Sequence, residues 1–195
     1  MRQEYHGVSY RLAIPNREVE GIYSTVIKTW LNKDMQVNDT FLRFVRGIRE
    51  MDAASIEEGL ACMFFSLASH HDAARAPYEE TARRENFYHG LILGLLAYFG
   101  GEYAVESSRE YGKGRADIVL VRKGPTPQNA EDALVFEFKQ GNVKDSVPLE
   151  TLAQAALDQA LEKYVASVRE KWRPKTMLVL GVGFRGKELV LKRGL

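Results

Sequence analysis

The sequence lacks several features that mark particular classes of protein. Its one cysteine, Cys62, cannot build a disulfide framework or a cysteine-based zinc site, so a reducing cytoplasm suits the chain. We expect Cys62 to be a small buried side chain on a helix. The longest apolar stretch, residues 91–99, is too short to span a membrane, and no secretory signal opens the chain. These absences predict a cytoplasmic protein that is neither exported nor embedded in a membrane.

The sequence also lacks a P-loop and a strong net charge. No Gly-x-x-x-x-Gly-Lys-Ser/Thr pattern is present, which excludes nucleotide binding in the P-loop manner. The net charge is +1, but residues 162–195 carry 9 Lys and Arg against 3 Asp and Glu, or +6, and the remainder carries 18 against 23, or −5. This basic segment either meets phosphates or is an ordinary solvated face. Its candidate phosphate contacts are Arg169, Lys171, Arg173, Lys175, Arg185 and Lys187.

What is present is the composition of a globular protein with one main core, 45% hydrophobic and 27% charged. The first half is predicted to be helical. Its helix starts are Asn16, Asn38 and a Ser55–Glu58 capping box, and Pro77 opens a helix that ends at Gly100 and Gly101. We therefore predict a helical N-terminal layer over residues 1–76 and the main domain over residues 77–195.

Beyond Gly101 the pattern changes to short β-type runs. The predicted strands cover residues 103–107, 115–121, 133–139, 176–184 and 188–192, with a helix over residues 149–171. The turn-rich stretch 123–132 is predicted to be a loop. This order predicts an α/β fold with a mixed central β-sheet flanked by helices.

Two charged residues interrupt the apolar run 133–139. Strand alternation places Glu137 and Lys139 on one face, whereas Leu134, Phe136 and Phe138 lie on the other. Burying an unpaired charge is costly, so these two residues need partners. They form either a simple ion pair at a strand end or part of a metal site.

The preceding predicted strand carries another acid. Alternation places Arg115 and Asp117 on the face opposite Ala116, Ile118 and Leu120. If the two strands are neighbours, Asp117 and Glu137 converge on one divalent ion, with Lys139 beside it to meet a phosphate or polarise a water. Phosphodiester hydrolysis requires these groups.

An Asp followed one strand later by Glu-x-Lys resembles the PD-(D/E)XK nuclease superfamily. The resemblance implies a restriction-endonuclease-like core and Mg²⁺- or Mn²⁺-dependent cleavage of nucleic acid, with DNA as the expected substrate. Asp117 and Glu137 would bind the metal, and Lys139 would orient or activate the attacking water. An upstream helical Glu often completes the metal shell, and Glu85 is the candidate. His89 shares a helix face with Glu85 and is expected to be a supporting or core residue.

The resemblance also points to Gln159, because a glutamine is frequent on the helix after the catalytic strand. The helical wheel agrees, since Gln159 and Lys163 fall among apolar residues. The polar arc of the same helix consists of Gln154, Asp158, Glu162 and Arg169. Gln159 is therefore predicted to lie near a water or phosphate. The alternative is a satisfied core glutamine beside a snorkelling lysine.

Residues 14–19, 88–90, 110–117, 136–139 and 183–184 together resemble one architecture. It is the C-terminal part of bacterial and archaeal AAA-ATPase-like proteins that end in a PD-(D/E)XK domain. The resemblance implies that residues 1–76 are a linker or layer at the end of a lost or absent ATPase-like domain, and that such a domain is a candidate partner. Glu110 and Arg115 match the pattern and either brace Asp117 or form an ordinary surface turn.

Two classes of function compete. The first is a metal-dependent nuclease in which Asp117, Glu137 and Glu85 bind the metal and Lys139 orients or activates the attacking water. The second is a catalytically silent nuclease fold that binds nucleic acid or a protein partner. A homo-oligomer is a further hypothesis, because cutting both strands of a duplex usually needs two active sites.

Overall fold

The computed structural model describes residues 2–5, 8–11, 39–71, 91–111, 114–126, 129–141, 146–186 and 188–195. The chain divides into two compact units, Met1–Gln36 and Val37–Leu195. The predicted boundary near residues 76 and 77 falls outside the described residues, as does the predicted helix starting at Asn16.

The first unit contains an antiparallel hairpin of strands β1 (Arg2–Tyr5) and β2 (Val8–Arg11). The prediction of a helical layer over residues 1–76 is therefore wrong for this segment. Tyrosine and valine favour strands, and the two short runs satisfy their backbone groups by pairing with each other, from Arg2 with Arg11 to Tyr5 with Val8.

The second unit begins with helices α1 (Asp39–Glu50) and α2 (Ala53–His71). Residues 91–96 are helical and continue into the 3-10 helix Ala97–Phe99, which ends at Gly100 as predicted. The remaining elements are β3 (Tyr103–Tyr111), β4 (Gly114–Arg122), β5 (Asp132–Gln140), α3 (Leu149–Lys163), α4 (Val165–Trp172), β6 (Thr176–Arg185) and β7 (Glu188–Gly194).

The five strands of this unit form one sheet in the order β3-β4-β5-β6-β7. Strands β5 and β6 are parallel and joined through α3 and α4, whereas the other neighbours are antiparallel. The prediction of an α/β fold with a mixed sheet flanked by helices is confirmed.

Helices cover both faces of the sheet. On one face α3 packs directly on β6 at Gly181 and Gly183. Phe184, the next residue along β6, faces the other way and meets Phe64 of α2, with ring centroids 6.4 Å apart. The active-site candidates lie on the α3 side, and none of the described helices is long and apolar enough to cross a bilayer.

Three local predictions are wrong. The predicted helix over residues 149–171 is two helices, because Tyr164 has φ −117° and ψ −33° and interrupts the α-helical geometry. Helix α2 is capped by Asp52 and not by Ser55, since Asp52 Oδ1 accepts from Ala54 N at 3.2 Å. Asp52 Oδ2 accepts from the Ser55 hydroxyl at 2.6 Å, which lowers the pKa of Asp52. Cys62 lies on α2 but is exposed.

Candidate functional site

The two predicted acids come together where β4 and β5 stop pairing. The ladder runs from Val121 opposite Ala133 to Ile118 opposite Phe136. Beyond the ladder, the hydrogen bonds between the two strands are made by side chains. Asp117 N donates to Glu137 Oε2 at 3.4 Å, and Phe138 N donates to Asp117 Oδ2 at 2.9 Å. Each carboxylate therefore accepts a backbone hydrogen bond from the neighbouring strand, which holds the two acids side by side.

Glu137 is the one buried charged residue in the part of the chain that the structure describes, at 3% exposure. Burial first, and then the negative charge of Asp117, raise the pKa of Glu137 to about 8. The hydrogen bond from Asp117 N and the positive charges of Lys139 and Lys163 oppose that rise. Without a bound cation, Glu137 therefore keeps its proton at neutral pH, because a second negative charge beside Asp117 is unfavourable in this buried site.

Gln159 joins α3 to Glu137 and Lys139 of β5. Lys139 Nζ donates to Gln159 Oε1 at 3.0 Å, while Gln159 Nε2 donates to Glu137 Oε1. The amide thus presents its oxygen to the ammonium and its nitrogen to the carboxylate. Gln159 and Lys163 are partly buried and the predicted polar arc of α3 and α4 is exposed, as the helical wheel predicts. Two of their apolar neighbours on that wheel, Ala155 and Ala166, are nevertheless exposed, so the inward face is narrower than predicted.

Two glycines let α3 approach the sheet closely enough for this contact. Gly181 and Gly183 of β6 lie in register with Glu137 and Lys139 of β5. A Cβ on Gly181 would lie 2.2 Å from Ala153 O, and one on Gly183 would lie 2.5 Å from Leu149 O. Only glycine leaves room for the helix backbone here, so these two positions set the distance from Gln159 to the acids.

Tyr164 belongs to the same network and is a residue that the sequence reasoning missed. Its side chain is 2% exposed, and its hydroxyl lies 3.1 Å from Gln159 Nε2, from which it accepts a hydrogen bond. Burial raises the pKa of Tyr164, and the hydrogen bond from Gln159 opposes the rise. In one continuous helix, Tyr164 would sit about 140° from Gln159, so helical spacing gives no signal. The break between α3 and α4 brings the two together.

The donor chemistry of the site suits a hard divalent cation. Two carboxylates face each other, and oxygen ligands are those that Mg²⁺ and Mn²⁺ prefer. Among the described residues, no group of three or more His, Cys, Asp or Glu is placed to share a metal. The predicted third ligand, Glu85, and its neighbour His89 lie outside the described residues.

The other predicted supporting residues are placed only in part. Glu110 and Arg115 are directly opposite each other in the β3–β4 register. Much of the basic C-terminal segment is occupied with local partners. Lys171 pairs with Glu106 at 2.8 Å and Lys175 with Glu131 at 2.7 Å. These ion pairs favour the solvated-face interpretation for those two lysines.

Comparison with known proteins identifies a family. The family model for the PD-(D/E)XK nuclease superfamily matches residues 83–194, which is 112 of the 195 residues. No curated protein matches the chain. The matched segment contains Asp117, Glu137, Lys139, Gln159 and Tyr164, and so includes every residue of the hydrogen-bonded network around the two acids.

Proposed function

Because this chain belongs to the PD-(D/E)XK nuclease superfamily, we propose that it is a nuclease that hydrolyses the phosphodiester bonds of DNA with Mg²⁺ or Mn²⁺. The observation that supports this most is the placement of the two acids. Asp117 and Glu137 are cross-bonded between neighbouring strands, and the ammonium of Lys139 is held on the same face by Gln159. Two carboxylates that can bind a hard metal ion thus share a single site with the positively charged Lys139 ammonium.

The electrostatics of the acids fit a divalent ion. Burial and like charge are the two largest causes of the raised pKa of Glu137. A bound cation offsets both, because it replaces the lost hydration and neutralises the neighbouring carboxylate. Asp117 and Glu137 would hold the ion. Glu85 is proposed as a third ligand.

The chemistry that a divalent ion supplies in such a site is positive charge beside the phosphate and a lower pKa for water. The protein's own residues supply orientation. Gln159 Oε1 fixes the Lys139 ammonium, which contacts the attacking water or a phosphate oxygen and stabilises the negative charge that develops there. Gln159 Nε2 and Asp117 N hold the two oxygens of Glu137. The carboxylate therefore needs little rearrangement during the reaction.

We also propose the partners that the sequence suggests. DNA is the substrate, an ATPase-like domain or protein acts beside the nuclease, and a second copy supplies the second active site when both strands of a duplex are cut. The cytoplasm is the proposed location.

Replacing Lys139 by alanine tests the activity directly. We expect Lys139→Ala to lower the rate of DNA cleavage in Mn²⁺ by about 100-fold or more, the cost of removing one preorganised electrostatic group. Supercoiled plasmid, single-stranded DNA and RNA of the same sequence would be compared. The melting temperature should stay close to that of the wild type, because Lys139 is only partly buried.

Lys192→Ala is the matched control, since Lys192 lies on β7, two strands from β5, and is also partly buried. It should cleave at the wild-type rate. Cleavage by Lys139→Ala at the wild-type rate would contradict the proposal. A wild-type protein that binds the nucleic acids but cleaves none of them would instead identify a silent binding module.

A further inference from the structure

A second concave surface lies at the other end of β4 from the acids. It is a cleft of about 330 Å³ whose apolar walls include Ala104, Val121, Ala130 and Trp172, with Arg122 and Lys123 among its other lining residues. We call it the Trp172 cleft. Its volume falls at the small end of the range for ligand sites, which is about 300–1,000 Å³.

Trp172 lies at the end of α4, where its backbone carbonyl and its ring both have neighbours. Ala130 N donates to Trp172 O at 3.0 Å, which ties the loop before β5 to the end of α4. The Lys171 ammonium lies 4.7 Å from the centre of the Trp172 ring and 2.8 Å from Glu106. The ring is partly exposed, so part of its surface can meet a ligand.

The surroundings of the cleft carry positive charge that acids do not neutralise. Lys123 is exposed and donates to the carbonyl oxygens of Gly100 at 3.0 Å and Gly101 at 3.4 Å. Arg173, next to Trp172, is exposed and has no acidic partner among the described residues. Arg122 is paired with Asp132. An aromatic ring beside surplus positive charge is the combination that stacks a base and attracts its phosphate.

The cleft is on the same side of the sheet as the acids. Trp172 and Ala104 pack against a core cluster that also contains Tyr164, the residue bonded to Gln159. Along β4, Val121 is four residues from Asp117, or about 13 Å. At the duplex rise of ~3.4 Å per nucleotide that distance is about four nucleotides, and a more extended single strand spans it with fewer. One nucleic acid strand can therefore reach both places.

We propose that the Trp172 cleft binds an unpaired base of the nucleic acid, a few nucleotides from the bond that is cut; this rests on the nuclease function proposed above. A base within a duplex has both faces covered by its neighbours and cannot stack on Trp172. The cleft therefore selects single-stranded or locally unpaired nucleic acid. Lys123 and Arg173 contact the phosphates on either side of the bound base.

Fluorescence of Trp172 tests this without cleavage. The chain has two tryptophans, so the Trp30→Phe variant reports on Trp172 alone. A short oligothymidylate is titrated in metal-free buffer with EDTA, and an abasic oligonucleotide of the same length is the control with the same charge. We expect saturable quenching by oligothymidylate. The abasic strand should bind about 5- to 150-fold more weakly, the range for losing one stacked base.

Two further variants separate stacking from folding. Trp172→Ala should lose the same 5- to 150-fold in affinity for oligothymidylate, measured by anisotropy. Trp172→Phe keeps an aromatic ring, so its affinity for oligothymidylate should lie between those of Trp172→Ala and the wild type. Equal binding of the two strands, or unchanged fluorescence at saturation, would overturn the proposal. So would quenching by a capped phenylalanine amide with no effect of the oligonucleotide, which would indicate a protein side chain as the occupant.

The experiments distinguish failure of this proposal from failure of the proposed nuclease function. If oligothymidylate quenches Trp172 but the protein cleaves nothing with Mn²⁺, the base-binding proposal stands and the nuclease proposal is wrong. If the Trp172→Ala variant binds oligothymidylate with wild-type affinity and cleaves DNA, the nuclease proposal stands and the base-binding proposal is wrong. If the protein binds no oligonucleotide, the proposal that the Trp172 cleft binds a base is wrong.

Discussion

Gln159 contacts both Glu137 and Lys139 of β5. Its amide accepts from Lys139 and donates to Glu137, so losing it frees an ammonium and a buried carboxylate together. We expect Gln159→Met, which keeps the length and volume, to slow DNA cleavage about 10- to 150-fold, the range for a hydrogen bond to a charged group. Gln154→Met is the control, because Gln154 is exposed on the same helix and bonds only to Asp158 among the described residues. Equal rates in the two variants would show that Gln159 merely fills the core.

Glu137 makes the stability of the metal-free protein depend on pH. Its pKa is about 8 in the folded protein and ordinarily 4.5. Between these values the unfolded chain releases a proton that the folded protein keeps. Stability is therefore full below pH 4.5 and falls as pH rises to about 8, by up to about 1.4 kcal/mol per pH unit.

Replacing the carboxyl by an amide removes this dependence. In urea unfolding of the metal-free protein, the free energy of unfolding of Glu137→Gln relative to that of the wild type should increase as pH rises from below 4.5 to above 8. An advantage that is constant over this range would mean that Glu137 ionises in the folded protein at its ordinary pKa.

At the residue scale, the sequence predicted the acids because alternation along a strand is strict. Period two in apolar runs places Asp117, Glu137 and Lys139. Gln159 came from the family resemblance, and the helical wheel agreed because Gln159 lies outside the polar arc of its helix. Tyr164 could not be predicted in the same way. Its role depends on a local break in helical geometry that neither a proline nor a glycine marks.

At the element scale, the contact of α3 with β6 positions the site. A methyl group on Gly181 would lie 2.2 Å from Ala153 O and 2.3 Å from Leu157 N, both backbone atoms that cannot turn aside. We expect Gly181→Ala to lower the free energy of unfolding by about 1–3 kcal/mol, the usual cost of overpacking. Cleavage should fall even where the variant is fully folded, because the helix that carries Gln159 moves.

Gly94→Ala is the matched control for this substitution. Gly94 is helical and has no neighbour within 4 Å of an added Cβ. Alanine there should stabilise the protein by about 0.5–1 kcal/mol without changing cleavage. Thermal unfolding and cleavage of both variants would be compared. If Gly181→Ala behaves like Gly94→Ala, the close approach of α3 does not matter.

The strands were easier to predict than the helix ends. The predicted runs 115–121 and 133–139 are the observed β4 and β5 within one residue at each end. The start of α2 was misjudged because Ser55 and Asp52 both have capping side chains. The backbone satisfies its first donors with Asp52, which lies just before the first helical residue.

At the scale of the whole molecule, the order of elements predicted the mixed sheet, since the one parallel pair, β5 and β6, is the pair joined through helices. The relation of the N-terminal helices to the sheet was not predictable. It depends on contacts such as Phe64 with Phe184, which are far apart in sequence, and on Glu57, whose side chain accepts from Leu191 N at 2.8 Å. Local pattern does not report such pairs.

The sheet brings Asp117 and Glu137 together from separate strands, so binding of a divalent ion to the whole protein tests the central claim most directly. We would titrate Mn²⁺ by calorimetry into the wild type, Asp117→Asn and the control Asp158→Asn, whose acid is exposed on α3. The wild type and Asp158→Asn should bind Mn²⁺ alike, and Asp117→Asn should bind at least about 10-fold more weakly. Equal affinity in all three proteins, or no binding by the wild type, would contradict the metal-dependent nuclease.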